Sequence, residues 1–380
     1  MINSKQNFYD VAIIGGGLAG LSAAIHLRKY GYKVLLFEKN TYPKHKVCGE
    51  YISNEVLPYL DYLEVNAHAL GAVKIDKFEL STVNNKIIRS NLPLGGFGIS
   101  RYTLDNALFE KALEKGIYFI NDTVVDIKFE KDIFSVRTKI YGEFQAKIAI
   151  GAYGKRANLD LKLNRPFIQK KSPYLAVKTH VKGQFPNDIV ALHNFKGGYC
   201  GVSKVEDDRI NLCYIVDFKV FKKYKDISEF QEQVVFQNDY LKEIFKESTP
   251  LFETPLTISQ ISFDRKSPVE KHMLMCGDAA GMIHPLCGNG MSMAIRSAQM
   301  ASSLIIKFLS GEIKNRERME QTYIKEWNIA FKSRLLVGHL VARLFNYSRL
   351  SEISHGILRK LPFLIPLIIK QTHGKPMQIK

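Results

Sequence analysis

Apolar and polar positions repeat with two different periods along this chain, and the changes of period mark its elements. Val11 to Ile14 is an uninterrupted apolar run, long enough for a buried parallel strand. A small-residue helix carrying Ala19, Ala23 and Ala24 follows, and Lys33 to Phe37 reads as a second strand. Residues 72–90 alternate in strand fashion through Val73, Ile75, Phe78 and Leu80, with Asn84-Asn85 as the turn before Ile87 and Ile88. Leu104, Leu108 and Ala112 then switch to helical spacing until Gly116 stops the helix. A strand at Ile117–Ile120 precedes a three-stranded meander at Val124–Phe129, Ile133–Thr138 and Phe144–Ile150. Residues 161–262 are strand-rich, with runs at Tyr174–Val181 and Ile210–Val216 and a helical patch at Ile227–Leu241. From Met273 a short strand leads to a long helix, Met291 to Leu309, and 314–350 are helical again.

The first strand meets Gly15, Gly17 and Gly20 at G-x-G-x-x-G spacing, between strand and helix. The first glycine permits a tight turn, the second lets a pyrophosphate approach the backbone, and the third lets helix pack on strand. The helix N-terminus offers free N–H groups and a positive dipole to phosphate. Glu38 ends the second strand, eighteen residues after Gly20, where an acid binds ribose hydroxyls. These residues define a dinucleotide site and leave NAD and FAD both open.

Composition narrows the class. The chain has 380 residues, enough for two or three domains, and 46% hydrophobic and 24% charged residues are those of a globular protein. Its net charge of +17 favours an anionic partner: a cofactor, an acidic substrate, nucleic acid or a membrane surface. The Lys and Arg residues are scattered and form no recognisable nucleic-acid motif, so no nucleic-acid partner is expected. Cysteines 48, 200, 213, 276 and 287 show no C-x-x-C pairing, which points away from zinc and disulfides and toward a reducing compartment. The apolar run Leu361 to Ile369 contains Pro362 and Pro366 and is far short of the ~20 residues a spanning helix needs. The expectation is a cytoplasmic protein, either soluble or peripheral on the inner face of the membrane.

Three features in this order, namely the Gly-rich turn, Arg101 leading into the helix with Asp105, and Gly277-Asp278 ahead of a long helix, resemble the p-hydroxybenzoate hydroxylase-like FAD-dependent oxidoreductases. That group includes aromatic hydroxylases, geranylgeranyl reductases and flavin-dependent halogenases, and the resemblance covers roughly residues 8–310. It implies an α/β fold: a Rossmann-like FAD-binding domain of the glutathione-reductase type, with an inserted β-rich substrate domain and a helical C-terminus. The FAD domain is expected from 1–72, 95–160 and 263–312, the substrate domain from 73–94 and 161–262, and a C-terminal helical region from 313–380.

By the same resemblance, Asp278 after Gly277 holds a ribityl hydroxyl and Pro285 lies by the flavin ring. Gly288, Asn289, Gly290 and Met291 open a helix whose dipole stabilises negative charge on reduced flavin. Arg101 meets the phosphate or ribityl region, and Val125 joins the cofactor residues. The alternatives are a helix N-cap for Asp278 and a surface ion pair for Arg101. The loop Lys46-Val-Cys48-Gly49-Glu50 resembles the Cys-Gly segments of the reductases and some hydroxylases and halogenases, and implies contact with the isoalloxazine. Cys48 is a candidate for catalysis as well as cofactor packing. Tyr153 stands where the family's middle motif carries aspartate in an Asp-Gly pair, so NAD(P)H is the expected electron donor with this departure set against it. The halogenases' tryptophan-rich segment is absent, since the only tryptophan is Trp327.

Two chemistries remain open. A monooxygenase would hydroxylate an apolar aromatic, polyketide or isoprenoid substrate through a flavin C4a-hydroperoxide, and is the favoured reading; an ene-reductase would saturate a prenyl double bond. A non-catalytic flavin carrier is the alternative of another class, which the large middle block argues against. His284 is the candidate proton handler, and His193, Tyr199 and Tyr214 are candidates to orient substrate. From Ile353 to Lys380 there are five Lys/Arg and no acid around an apolar core, suited either to an interfacial anchor on anionic lipid or to a helix docked on the protein.

Overall fold

The computed structural model describes residues 8–170, 172–259, 261–346, 354 and 356–379. Residues 1–7 of the expected FAD domain, and 347–353, 355 and 380 of the expected helical region, lie outside the described residues.

Strand Phe8–Ile14 is parallel to Val34–Phe37 on one side and to Glu143–Gly151 on the other. Tyr118–Ile120 and Met273–Met275 extend this core, also in parallel. Strands buried on both faces need continuous apolar runs, and Val11–Ile14 and Val34–Phe37 are fully buried. Val124–Glu130 and Ile133–Thr138 form the expected meander with Glu143–Gly151. Lys131 and Asp132 both have positive φ at its first corner, as a two-residue hairpin requires. Val269–Glu270 completes this eight-stranded sheet. Helix Leu18–Lys29 lies against it and touches both Arg101–Glu114 and Gly290–Leu309. Its alanines and Gly20 allow that approach; a Cβ on Gly20 would fall 1.9 Å from the Gly15 carbonyl oxygen.

A second sheet, of nine strands, runs in the order Thr249–Pro250, Tyr174–Lys182, Arg209–Asp217, Gly198–Val205, Ile189–Phe195, Val73–Ser81, Ile87–Gly98 and Tyr51–Ser53, with Leu256–Ile258 also paired to Tyr174–Lys182. It takes Tyr51–Ser53 and Gly96–Gly98 from stretches expected in the FAD domain, because the hairpin strand continues past residue 94. Its two faces differ. Leu175, Val177, Tyr214 and Phe195 face helices Ile227–Gln233 and Asp239–Glu247 through Phe230 and Leu241. Ala176, Leu192, Tyr199 and Ile215 face Met282 and Leu286, in the loop after Asp278.

Helix Arg316–Asn346 packs on Gly290–Leu309, and helix Leu364–Thr372 packs on Arg316–Asn346 and on strand Ile87–Gly98. Among the described residues no helix is long and apolar enough to cross a membrane.

Candidate functional site

The Gly-rich turn is shaped for a ligand rather than for side chains. Gly15 has φ +106°, and a Cβ there would sit 2.5 Å from the Ala152 carbonyl oxygen. At Gly17 the nearest atom to such a Cβ is Arg101 Nη2, at 3.7 Å. Gly17 is also the N-cap of the following helix, with no side chain bonding its free N–H groups. Open space, orphan donors and a nearby guanidinium together fit a pyrophosphate. Glu38 accepts the Gly16 N–H at 2.8 Å and the Asn40 N–H at 2.9 Å, so it braces the glycine turn. Asn121 donates its amide to the Glu38 carbonyl at 2.8 Å, and Val125 follows it, half-buried, at a register shift between Val124 and Asp126.

Arg101 is no surface ion pair. It grips Asp105 with two hydrogen bonds, at 2.6 and 2.7 Å, and Lys46 reaches the same carboxylate at 2.7 Å. Burial opposes the charge on Asp105, but Arg101 and Lys46 outweigh it and hold the carboxyl below its ordinary range. Two cations on one acid leave net positive charge beside the glycine turn.

The loop carrying Cys48 and Gly49 is held from behind by a second buried acid. Glu50 is fully buried with a left-handed backbone (φ 55°). Its carboxylate accepts the Arg101 N–H at 2.8 Å, pairs with Lys178, and meets His180 Nε2 at 2.7 Å. Burial again works against ionisation, and Lys178 and His180 overcome it. Asn211 donates to the Gly49 carbonyl at 2.9 Å. Lys178, His180 and Asn211 all belong to the nine-stranded sheet, so the loop is stitched to that sheet through its backbone and Glu50. Cys48 is half-buried and, like the other four cysteines, forms no disulfide.

Asp278 follows Gly277, whose φ of +62° and N–H bond to Ser297 Oγ (2.9 Å) set the turn. Among the described residues no hydrogen bond reaches the Asp278 carboxylate, while its carbonyl accepts Lys266 Nζ at 2.7 Å. The free carboxylate fits a ribityl hydroxyl and does not act as a helix cap. Burial pushes the Lys266 ammonium down to about 8, against the pull of Asp278. Pro285 is exposed at the turn that follows, and Gly288 takes the left-handed conformation. Asn289 precedes helix Gly290–Leu309 with no side chain capping its N–H groups, and Met291 is buried in the first turn. Asn289 itself donates to the Thr372 carbonyl at 2.6 Å.

The candidates for chemistry divide. His284 is buried beside Phe263, with ring centroids 4.6 Å apart, and Tyr199 and Tyr174 lie 6.0 and 6.3 Å away. Burial pushes His284 down to about 3, so its imidazole is neutral, and the Leu286 N–H points at Nδ1 (3.4 Å), which places the proton on Nε2. Tyr199 is buried with its hydroxyl unpartnered. His193 and Tyr214 are not in this group, contrary to the sequence expectation. Strand alternation turns them to the opposite face: His193 bonds Ser81 Oγ at 2.9 Å and stacks on Tyr240, and Tyr214 packs on Phe195 and Phe230. Tyr153 donates to Asp160 at 3.1 Å, and Asp160 pairs with buried Arg165 at 3.0 Å. The tyrosine at the expected aspartate position is thus tied to an acid seven residues on.

A nucleotide-type sheet with an open glycine turn, a hydrogen-bond-free acid after a glycine and an uncapped helix N-terminus fits a flavin-dependent oxidoreductase. The family described as "FAD binding domain" matches residues 8–326, and the chain belongs to it. The chain is 25% identical over 365 residues to a digeranylgeranylglycerophospholipid reductase of Methanocaldococcus jannaschii, covering 89% of this chain and 86% of that one. It is 22% identical over 351 residues to conditioned medium factor receptor 1 of Dictyostelium discoideum, covering 80% of this chain and only 64% of that longer relative. Its fold is similar to that of the flavin-dependent brominase Bmp2, with TM-score 0.80, 19% identity, and 96% and 93% of the two chains covered.

Proposed function

We propose that this FAD-dependent oxidoreductase acts on an apolar, isoprenoid- or lipid-like substrate and saturates a prenyl double bond. The observation that carries this reading is the apolar face of the nine-stranded sheet turned toward the Pro285 loop, built from Leu80, Ala176, Leu192, Tyr199 and Ile215 and met by Met282 and Ile261. Such a face would lie along a hydrocarbon chain and exclude water. The reductase relative supports the same choice. Bound FAD would supply the two-electron exchange, and NAD(P)H is the donor proposed to reload it. Gly15, Gly17, Glu38, Arg101 and Asp278 would hold the cofactor, and the Lys46–Glu50 and Pro285–Met291 turns would flank its ring. His284, neutral with its proton on Nε2, would hold a hydrogen at the pocket wall.

Hydroxylation of the same kind of substrate is the second reading. It is favoured by the buried, unpartnered Tyr199 hydroxyl, which suits a phenolic or other polar end of the substrate.

The test is anaerobic conversion of a geranylgeranyl ether lipid by photoreduced protein, read by mass spectrometry. A product gaining a pair of hydrogens per double bond without oxygen supports reduction. Conversion only in air, with gain of an oxygen atom, replaces it with the second reading. No conversion under either condition, with flavin that cycles, overturns the substrate class. Bleaching of the flavin by NADH or NADPH tests the donor separately.

A further inference from the structure

Helix Arg316–Asn346 has two apolar sides. One closes over the proposed site: Trp327 approaches Gly281, Gly338 approaches Cys287, and His339 Nε2 lies 3.0 Å from the Phe263 carbonyl. The other has no cover among the described residues. Ile329, Leu336 and Leu340 fall at spacings of seven and four, one face of a helix, and all are exposed, Ile329 to 74%. The tail packed against this helix repeats the pattern. Ile365 is buried and Ile369 touches the nine-stranded sheet, while Leu361, Phe363 (61%), Leu367 and Ile368 are exposed. Singly exposed apolar side chains need no explanation, but five on two helices that pack together, with Leu361 and Phe363 in the turn just before the second, do.

Charge selects the occupant. Lys325 and Lys332 are exposed along the first stripe, and Arg359, Lys360 and Lys370 along the second. Glu326 is the one exposed acid within a turn of Ile329, and no acid occurs from Ile353 to Lys380. Apolar side chains among cations match the boundary of an anionic bilayer, where the former sink below the headgroups and the latter meet phosphate. We infer that the exposed faces of helices Arg316–Asn346 and Leu364–Thr372 seat the protein on an anionic membrane surface, monotopically, with the roof of the flavin site turned to the lipid.

The seat is mechanically joined to the site. Thr372, at the end of the tail helix, accepts the Asn289 amide at 2.6 Å, and Asn289 starts the proposed ring-facing helix. Gly374 N–H donates to the buried Glu55 carboxylate at 3.1 Å, which Arg334 of the long helix also reaches at 3.4 Å. The tail is therefore both docked on the protein and apolar outward, which reconciles the two roles its sequence suggested. The inference is independent of the choice between reduction and hydroxylation.

The test uses flavin-loaded, full-length protein and sedimentation with vesicles of phosphatidylcholine, with or without one third phosphatidylglycerol. Binding is expected to the anionic vesicles and to fall in high salt. Phe363→Ser with Leu367→Ser, both exposed, should weaken it at least about tenfold. Lys360→Gln with Lys370→Gln should weaken it by about tenfold or more, since each basic residue near the surface contributes on the order of 1 kcal/mol. Failure to sediment with anionic vesicles overturns the inference, as does binding that neither double variant changes. A dimer in light scattering that Phe363→Ser/Leu367→Ser converts to monomer assigns the face to a second copy and also overturns it. Flavin content of each variant shows that the fold is intact.

Discussion

The two faces of the nine-stranded sheet hold similar residues to different ends. The far face carries His193, Tyr214, Cys200 and Phe195, closed by its own helices and finished as a core. The near face carries Tyr199, Lys178, His180 and Asn211, and most of these polar groups reach across to the Lys46–Glu50 loop. The far-face His193 and Tyr214 bond within the sheet and its own helices, to Ser81 and Gln231, whereas the near-face groups bond to, or in Tyr199 wait for, something outside the sheet. Residue type does not distinguish the two roles. Strand parity does.

The sharpest way to break this comparison is Lys178→Met, which leaves Glu50 buried without its strongest partner. A loss of about 3–5 kcal/mol in denaturant unfolding is expected, with flavin released as the Cys48 loop loosens. Tyr214→Ala comes next, costing about 3 kcal/mol as a large-to-small core change. Turnover per folded molecule should be unchanged, and a loss of turnover at normal stability would move Tyr214 to the near face. Tyr199→Phe should do the reverse, leaving the unfolding midpoint within about 0.5 kcal/mol while raising KM for substrates with a polar end.

Asp278→Asn should lower flavin occupancy, measured as released FAD per chain, with little change in the stability of the apoprotein. Equal occupancy would remove the ribityl assignment.

Acid sharpens the comparison least, because both faces respond alike. Burial pushes His193 down to about 4 and His284 to about 3, and both are neutral in the folded state. The unfolded chain binds their protons from about 6.5 downward, so stability is complete above that pH and declines as pH falls toward 4 and 3. Each contributes on the order of a few kcal/mol to the decline over that range. His193→Asn should flatten the stability–pH curve between those limits without shifting the pH profile of turnover.

The cofactor half of the molecule was legible because its signals are local. Gly15, Gly17, Gly20 and Glu38 lie within one strand–helix–strand unit, and backbone conformation and close packing dictate each glycine. The nine-stranded sheet depends on pairings between distant strands. Glu50 meets Lys178 and His180 across more than 120 residues, so neither was singled out beforehand. A signal existed: Tyr174–Val181 is an apolar strand broken at alternate positions by Lys178 and His180, on the parity of Ala176. Polar residues there must have a partner, and a loop carrying an acid was the place to seek one. The same parity argument separates Tyr199 from Cys200 and Tyr214 once the register is known, but register needs the pairings themselves.

The bond between Asn289 and Thr372 also bears on how the protein is made. The turn that starts the proposed ring-facing helix is completed by a residue 83 positions further on, and Glu55 receives Gly374 across 319. Growing chains fold as their parts emerge, in order of synthesis. The glycine turn and its sheet can form early, but the ring-facing turn stays unbraced until the tail is synthesised. Bracing of that turn thereby waits for residue 372, and a ribosome stalled before it would carry a nucleotide fold whose turn at Asn289 is not yet fixed.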